Sequence, residues 1–129
     1  MGYSKDNYKA YGIDLGYLKN WVGSLADLGD DYDDRFEALE EIIISKFPLL
    51  TVEPYGDFRY DDVNAIVYIM ESVETSGGGK THEDNTAPMI RVEGDTAKIS
   101  HRALAELAAF KHEFGIGTHS SFYYWETIA

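Results

Sequence analysis

Residues 61–76, DDVNAIVYIMESVETS, decide how the chain folds, because their pattern fits two kinds of element. The apolar residues at 63, 66, 67, 70 and 73 follow the spacing of a helical face, with Asp61 or Asp62 as N-cap and Gly77 as the stop. The run AIVYIM at 65–70 has instead the β-branched and aromatic content of a buried strand. The spacing favours the helix, and the strand stays open as the alternative.

Three other stretches are typical of amphipathic helices. The first begins at Asp14, has apolar residues at 15, 18, 22 and 25, and ends at Gly29. The second begins within the acidic cluster at 30–34, buries a stripe at 36, 39, 43 and 47, and ends at Pro48. The third has Ser100 as its N-cap, runs to Phe114 with an apolar face at 104, 107, 108 and 114, and stops at Gly115.

Three further stretches predict extended structure. Residues 49–53 read as a short extended segment before a turn at Pro54-Tyr55-Gly56. Residues 89–93 and 96–99 flank Gly94-Asp95, which predicts a two-residue β-hairpin. Residues 121–127 read as a terminal strand. We expect alternate members of the aromatic run 122–125 to pack into the core, and the alternative is that part of the run forms an exposed hot spot.

These elements predict an α+β fold, with three to four helices packed on a small, mainly antiparallel sheet. Residues 1–13 have no stable period, so we expect a partly ordered N-terminal arm before a single compact α+β domain at 14–129. A chain of 129 residues is long enough for one hydrophobic core and too short for a second full domain.

The composition excludes several kinds of site. Cysteine is absent, which excludes disulfide scaffolds, thiol nucleophiles and thiolate metal sites and agrees with a cytoplasmic location, the host cytoplasm if the chain is phage-encoded. The net charge of -12 argues against nucleic acid or an anionic membrane as the direct partner. No apolar run approaches the roughly 20 residues that span a bilayer, so no membrane segment is expected.

The excess negative charge is concentrated between residues 27 and 62, which hold twelve acids and three bases. Seven carboxylates within this segment form what we term the acidic strip: Asp30, Asp31, Asp33, Asp34, Glu37, Glu40 and Glu41. A helix would place several of them on one solvent face, about one turn apart. Such a row is either a solvated face that keeps the protein soluble or a docking surface for a basic protein.

Known site motifs fail on inspection. Read as an EF-hand loop from Asp31, the chain has Arg35 at the fifth ligand position and Phe36 in place of the glycine, and the register from Asp30 fails as well. The stretch GGGKT at 77–81 resembles the end of a phosphate-binding loop, but Glu74 stands where its first glycine belongs. We therefore expect no cofactor, no metal and no enzymatic activity.

The leading hypothesis is an acidic, non-enzymatic binding protein that docks on a basic, nucleic-acid-binding protein and inhibits it, as a DNA mimic would. In composition the chain resembles small acidic inhibitors such as phage anti-defence and immunity proteins. An assembly subunit of a phage head or tail, with contacts between copies, is the alternative, and a metal or nucleotide enzyme that uses the loop from Gly77 to Thr86 is the third. The expected partner-binding residues are the acidic strip together with Asp57, Asp61 and Asp62.

Overall fold

The computed structural model of the protein describes residues 3–76, 80–81, 86 and 88–129. Two α-helices, α1 (Tyr32–Lys46) and α2 (His101–Phe114), pack on a sheet of seven strands. The strands are β1 (Tyr3–Tyr17), β2 (Leu50–Asp57), β3 (Asp62–Ile69), β4 (Glu74–Ser76), β5 (Lys80–Thr81), β6 (Ile90–Val92) and β7 (Ser121–Ile128). Five short 3-10 helices lie between them, at Leu18–Asn20, Gly23–Leu28, Phe58–Tyr60, Met70–Ser72 and Thr96–Lys98. The α+β class is confirmed, with fewer α-helices and a larger sheet than expected.

Four strands of the sheet close into a ring. β1 pairs antiparallel with β3 and with β7, and β2 pairs antiparallel with β3 and, in a short parallel contact at Gly56 and Asp57, with β7. Sheet closure removes strand edges, and it gives every strand of the ring an inner and an outer face. β4 and β5 pair with β1, and β6 pairs with β7.

Each face of the ring has its own apolar core. The inner face holds a mainly aromatic cluster of Ala10, Tyr55, Ile66, Tyr68, Tyr123 and Trp125. The outer face packs on the helices through Ile13, Val52, Val67 and Ile69, which contact a cluster that includes Leu39, Ile43, Leu107 and Phe110. Because successive side chains of a strand point to opposite faces, each of the central strands contributes to both cores.

The segment 61–76 is not a helix. It forms β3, the 3-10 helix at Met70–Ser72 and β4. Residues 65–69 are all buried, because odd positions face the helices and even positions face the inside of the ring. A strand buried on both faces reads as one continuous apolar run, so the period of two that marks a strand was absent from the sequence.

The predicted N-terminal arm is also wrong, since residues 3–17 form the longest strand of the sheet. This strand pairs with β7, whose sequence lies more than 100 residues away, and Tyr8 stacks on Trp125 with ring centroids 5.5 Å apart. The helix expected from Asp14 to Gly29 does not form. Gly16 and Gly23 adopt positive φ angles of 74° and 60°, which interrupt a helix and divide the segment between β1 and two 3-10 helices.

Two turn predictions fail as well. Pro54-Tyr55-Gly56 continues β2 in place of a turn, and the turn follows at Phe58–Tyr60. The hairpin around Gly94-Asp95 is absent, because Ile90–Val92 pairs with β7 while Thr96–Lys98 is a 3-10 helix whose first turn is capped by the Asp95 side chain. Pairing with β3 holds Pro54-Tyr55-Gly56 extended, whereas the cap that favours the 3-10 helix is the adjacent residue Asp95.

The two α-helices and β7 are confirmed. The Ser100 side chain caps α2 by accepting a hydrogen bond from the Ala103 amide, and Gly115 ends it with φ 64°. On α2 the buried residues are 103, 107 and 110, so the face lies slightly off the predicted one, and Ala108 is exposed. Within the described part of the chain, neither helix has the length and hydrophobicity that a bilayer crossing requires.

Candidate docking surface

Helix α1 carries most of the acidic strip and is held by its opposite face. The Asp31 side chain accepts a hydrogen bond of 2.9 Å from the Asp34 amide and so serves as N-cap, which confirms that the helix begins within the acidic cluster at 30–34. Leu39, Ile43 and Phe47 are buried against the sheet and α2, which confirms most of the predicted stripe. The burial of this stripe forces the remaining face of α1 outward.

All seven carboxylates of the acidic strip are exposed. Asp33, Glu37 and Glu41 follow one another at steps of four residues on α1, so they lie about 6 Å apart along the helix axis. Within the part of the chain that the structure describes, none of the seven forms an ion pair. The strip is therefore an uncompensated row of negative charge on the surface.

Asp57 does not belong to this surface, contrary to prediction. It is only 8% exposed, and its Oδ1 accepts hydrogen bonds from the Arg59 backbone amide at 3.1 Å and from Arg59 Nε at 2.8 Å. The Arg59 guanidinium holds the pKa of the Asp57 carboxyl below its ordinary value. The Asp57 carboxylate is therefore paired with Arg59 within the protein. The guanidinium carbon of Arg59 also lies 3.9 Å from the centroid of the Tyr3 ring.

Asp61 and Asp62 are exposed at the tip of the β2–β3 hairpin. Asp61 has φ 56° and ends the 3-10 helix in the left-handed region, which aspartate tolerates better than most residues. Asp62 begins β3 and lines a cavity of about 360 Å³ together with Asp14, Tyr55 and Asn64. Asp61 instead lines a groove between the hairpin tip and α1. The two neighbouring carboxylates therefore serve different surfaces.

A groove of about 410 Å³ separates α1 from the hairpin tip. Asp33 and Glu37 line it from α1, and Asp61 lines it from the hairpin tip. Its apolar lining consists of Leu18, Tyr32, Phe36, Pro54, Phe58 and Val63. The structure thus brings together three of the predicted acidic residues, from two separate elements, around an apolar floor.

The apolar part of this groove was missed at the level of sequence. Phe58, which lines the groove, is 38% exposed, and Tyr60, which lies nearby in the chain but is not part of the lining, is 69% exposed, although both lie in the most acidic part of the chain. Large aromatic residues among carboxylates are a signal of an interaction surface, because charged segments that only promote solubility do not need them. The sequence held that signal at 58 and 60, next to the predicted acids.

A second, largely apolar groove of about 320 Å³ lies along the C-terminal half of α1, about two turns further along the helix. Its lining includes Ile44, which is 71% exposed, and Met70, which is 45% exposed, together with Pro48, Leu50 and Val52. Glu40 of the acidic strip lies on its rim. Exposed apolar residues grouped in this way are the kind of feature that the assembly alternative requires.

The other predicted sites can be placed only in part. Most of the glycine-rich loop, at 77–79 and 82–85, lies outside the described residues. Among the residues that are described, no group of three or more His, Asp or Glu side chains could hold a metal ion. In the aromatic run, Tyr123 and Trp125 are buried, which confirms the expectation that alternate residues pack into the core.

Comparisons with protein-family models, with curated proteins and with solved structures find no match. The surface chemistry of this chain is therefore the guide to its function.

Proposed function

We propose that the protein is a non-enzymatic inhibitor that docks its acidic strip on a basic, nucleic-acid-binding protein in the cytoplasm. The observation that carries the proposal is the row of seven exposed carboxylates without ion pairs in the described structure. Like charges at i, i+4 destabilise a helix by a few tenths of a kcal/mol per pair, and a cationic partner would remove this repulsion. The partner's binding site for phosphates would meet carboxylates about 6 Å apart, as a DNA mimic presents them.

The charge of the whole chain supports the same class of partner. A net charge of -12 raises the rate of encounter with a basic protein and repels nucleic acid, so the inhibitor would bind the enzyme and not its substrate. We place this chain among the small acidic inhibitors, such as phage anti-defence and immunity proteins, that it resembles in composition. Asp57 takes no part in it, because Arg59 occupies its carboxylate.

Affinity capture from a lysate of the host cell tests the proposal. The native protein is compared with a strip variant that carries Asp33→Asn, Glu37→Gln and Glu41→Gln. We expect the native protein to capture a basic nucleic-acid enzyme and to inhibit its activity on DNA or RNA, and the strip variant to lose at least tenfold in both measurements.

A matched control removes three charges elsewhere on the surface. The control variant carries Asp6→Asn, Glu74→Gln and Glu93→Gln, which are exposed and lie outside the acidic strip. It should capture and inhibit as the native protein does. Equal capture by the native protein and the strip variant, or capture without inhibition, would overturn the proposal.

The second candidate function is an assembly subunit, and the apolar groove around Ile44 and Met70 favours it. In that case copies of the chain would cover this groove, and the acidic strip would only keep the subunit soluble. Light scattering would then show an oligomer that grows with concentration and that Ile44→Lys abolishes. A monomer at all concentrations would exclude this function.

A further inference from the structure

The groove between α1 and the hairpin tip has two walls of the same charge. Asp33 and Glu37 stand on the α1 wall and Asp61 stands on the opposite wall, and the lining contains no lysine, arginine or histidine. All three carboxylates are exposed, and none forms an ion pair within the described residues. A ligand in this groove therefore meets negative charge on both sides.

The floor between these walls is apolar. It includes Leu18, which is buried, and Phe36, Phe58 and Val63, which are partly exposed. The volume of about 410 Å³ falls within the range of roughly 300–1,000 Å³ that is usual for ligand sites. The floor thus offers apolar area that only an apolar side chain can bury favourably.

The aromatic wall of the groove already carries a cation at its edge. Lys19 Nζ lies 5.2 Å from the centroid of the Tyr32 ring, and Tyr32 belongs to the lining. Aromatic faces attract ammonium and guanidinium groups through the negative face of the ring. Lys19 thus occupies a face of the Tyr32 ring, so the cations of a ligand would be held by the carboxylates on the two walls and not by this ring.

We infer that the groove binds a basic segment of the partner protein that carries one large apolar side chain between two cationic ones. This inference rests on the proposed function and names the part of the partner that the surface recognises. The apolar side chain would lie on Phe36, Phe58 and Val63, and the cations would reach Asp33 and Glu37 on one wall and Asp61 on the other.

Other occupants fit the groove less well. A wholly apolar segment would take water from three carboxylates and give them no partner. A wholly cationic segment would leave the floor uncovered and form only exposed ion pairs, which contribute little to affinity. Only a segment with both kinds of side chain satisfies the rim and the floor together.

Panning of a random peptide library tests this inference without knowledge of the partner. The probes are peptides of about 16 residues, long enough for about four helical turns, displayed on phage and selected on the native protein. We expect the enriched peptides to share an apolar residue flanked by arginine or lysine. The enriched peptides should bind the Phe58→Ala variant, and the double variant Asp33→Asn with Asp61→Asn, at least tenfold more weakly than they bind the native protein. They should bind the control variant as tightly as the native protein.

The outcomes separate the two proposals. Enriched peptides that are basic, lack a shared apolar residue and bind Phe58→Ala normally would overturn the groove inference and leave the acidic strip as the docking surface. If the enriched peptides are not basic, or if no peptide is enriched, the groove inference is overturned. The proposed function is then decided separately, by whether the strip variant still captures the partner from the lysate. Val63→Thr, which keeps the side-chain shape and replaces a methyl group with a hydroxyl, is used in place of Phe58→Ala if circular dichroism shows that the alanine variant is unfolded.

Discussion

The Tyr55 hydroxyl donates a hydrogen bond of 2.7 Å to Asp14 Oδ1, and this bond joins β2 to β1 across the ring of strands. The same carboxylate oxygen accepts a bond of 2.9 Å from the Gly16 amide, at the irregularity where β1 changes register against β3. Asp14, which the sequence suggested as a helix cap, therefore stabilises a bend in a strand. One side chain supports both the closure of the ring and the bend.

Removal of the Tyr55 hydroxyl should destabilise the protein without changing its fold. We expect Tyr55→Phe to lower the free energy of unfolding by about 1 kcal/mol, because the aromatic packing stays and one hydrogen bond is lost. Urea denaturation followed by tryptophan fluorescence measures the change. Tyr60→Phe is the matched control, since Tyr60 is exposed, and it should leave the midpoint where it is.

Alkaline pH should destabilise the protein through its buried tyrosines. Burial is the largest cause that raises the pKa of Tyr55 and of Tyr68, followed by hydrogen bonds to Asp14 and Glu53. Because their pKa is higher in the folded protein than in the unfolded chain, the unfolded chain loses protons first, and stability falls as the pH rises above about 10. Denaturation at several pH values between about 8 and 11 should show this fall, and Tyr55→Phe with Tyr68→Phe should make it shallower. An identical slope in native and double-variant protein would contradict the assignment.

Gly12 should tolerate no side chain. It pairs with Tyr68 on one edge of β1 and with Ser121 on the other, and a Cβ atom there would lie 2.1 Å from the Val67 carbonyl oxygen. Because the clash is with backbone, we expect Gly12→Ala to reduce stability by about 3 kcal/mol or more, the upper end of overpacking effects. Gly117→Ala has open space around its Cβ and should change stability by less than about 0.5 kcal/mol. Thermal melts of the two variants make the comparison, and similar melting temperatures would show that the strands at Gly12 can separate.

Asp57→Asn should affect acid stability and leave partner binding unchanged. The hydrogen bonds from Arg59 lower the pKa of Asp57, so its contribution to stability is present above the unfolded pKa of about 3.9 and is lost as the pH falls through the lower folded pKa. The asparagine variant should be less stable at neutral pH, and its stability should depend less on pH below about 4. Affinity for the captured partner or for the selected peptides should match that of the native protein, and a clear loss of affinity would return Asp57 to the docking surface.

The parts of the fold that could be predicted are those determined by nearby residues. The caps Asp31 and Ser100 and the stop at Gly115 act within a few residues of their helices, so α1 and α2 could be located from the sequence. β1 could not, because its polar N-terminal half becomes a strand through pairing with β7, β4 and β5, which are all distant in sequence. β3 was assigned to the wrong class because burial on both faces removed its alternation.

The candidate site divides in the same way. The exposed carboxylates of α1 follow from helical periodicity, so five of the seven strip residues, at 33, 34, 37, 40 and 41, could be placed on the surface from the sequence. The ion pair of Asp57 with Arg59 and the position of Asp61 across from α1 depend on the β2–β3 hairpin. No local pattern in the sequence indicates that the tip of the β2–β3 hairpin lies opposite α1. The groove between them could therefore not be predicted from the sequence.

The salt dependence of binding to the captured partner tests the central claim most directly. Raising the salt from about 0.01 M to about 0.15 M shortens the screening length from about 30 Å to about 8 Å, which weakens attraction between exposed charges. We expect the Kd of the native protein and of the control variant to rise at least tenfold over this range, and the Kd of the strip variant to be high at low salt and to change much less. If the native protein and the strip variant show the same salt dependence, the acidic strip is not the docking surface.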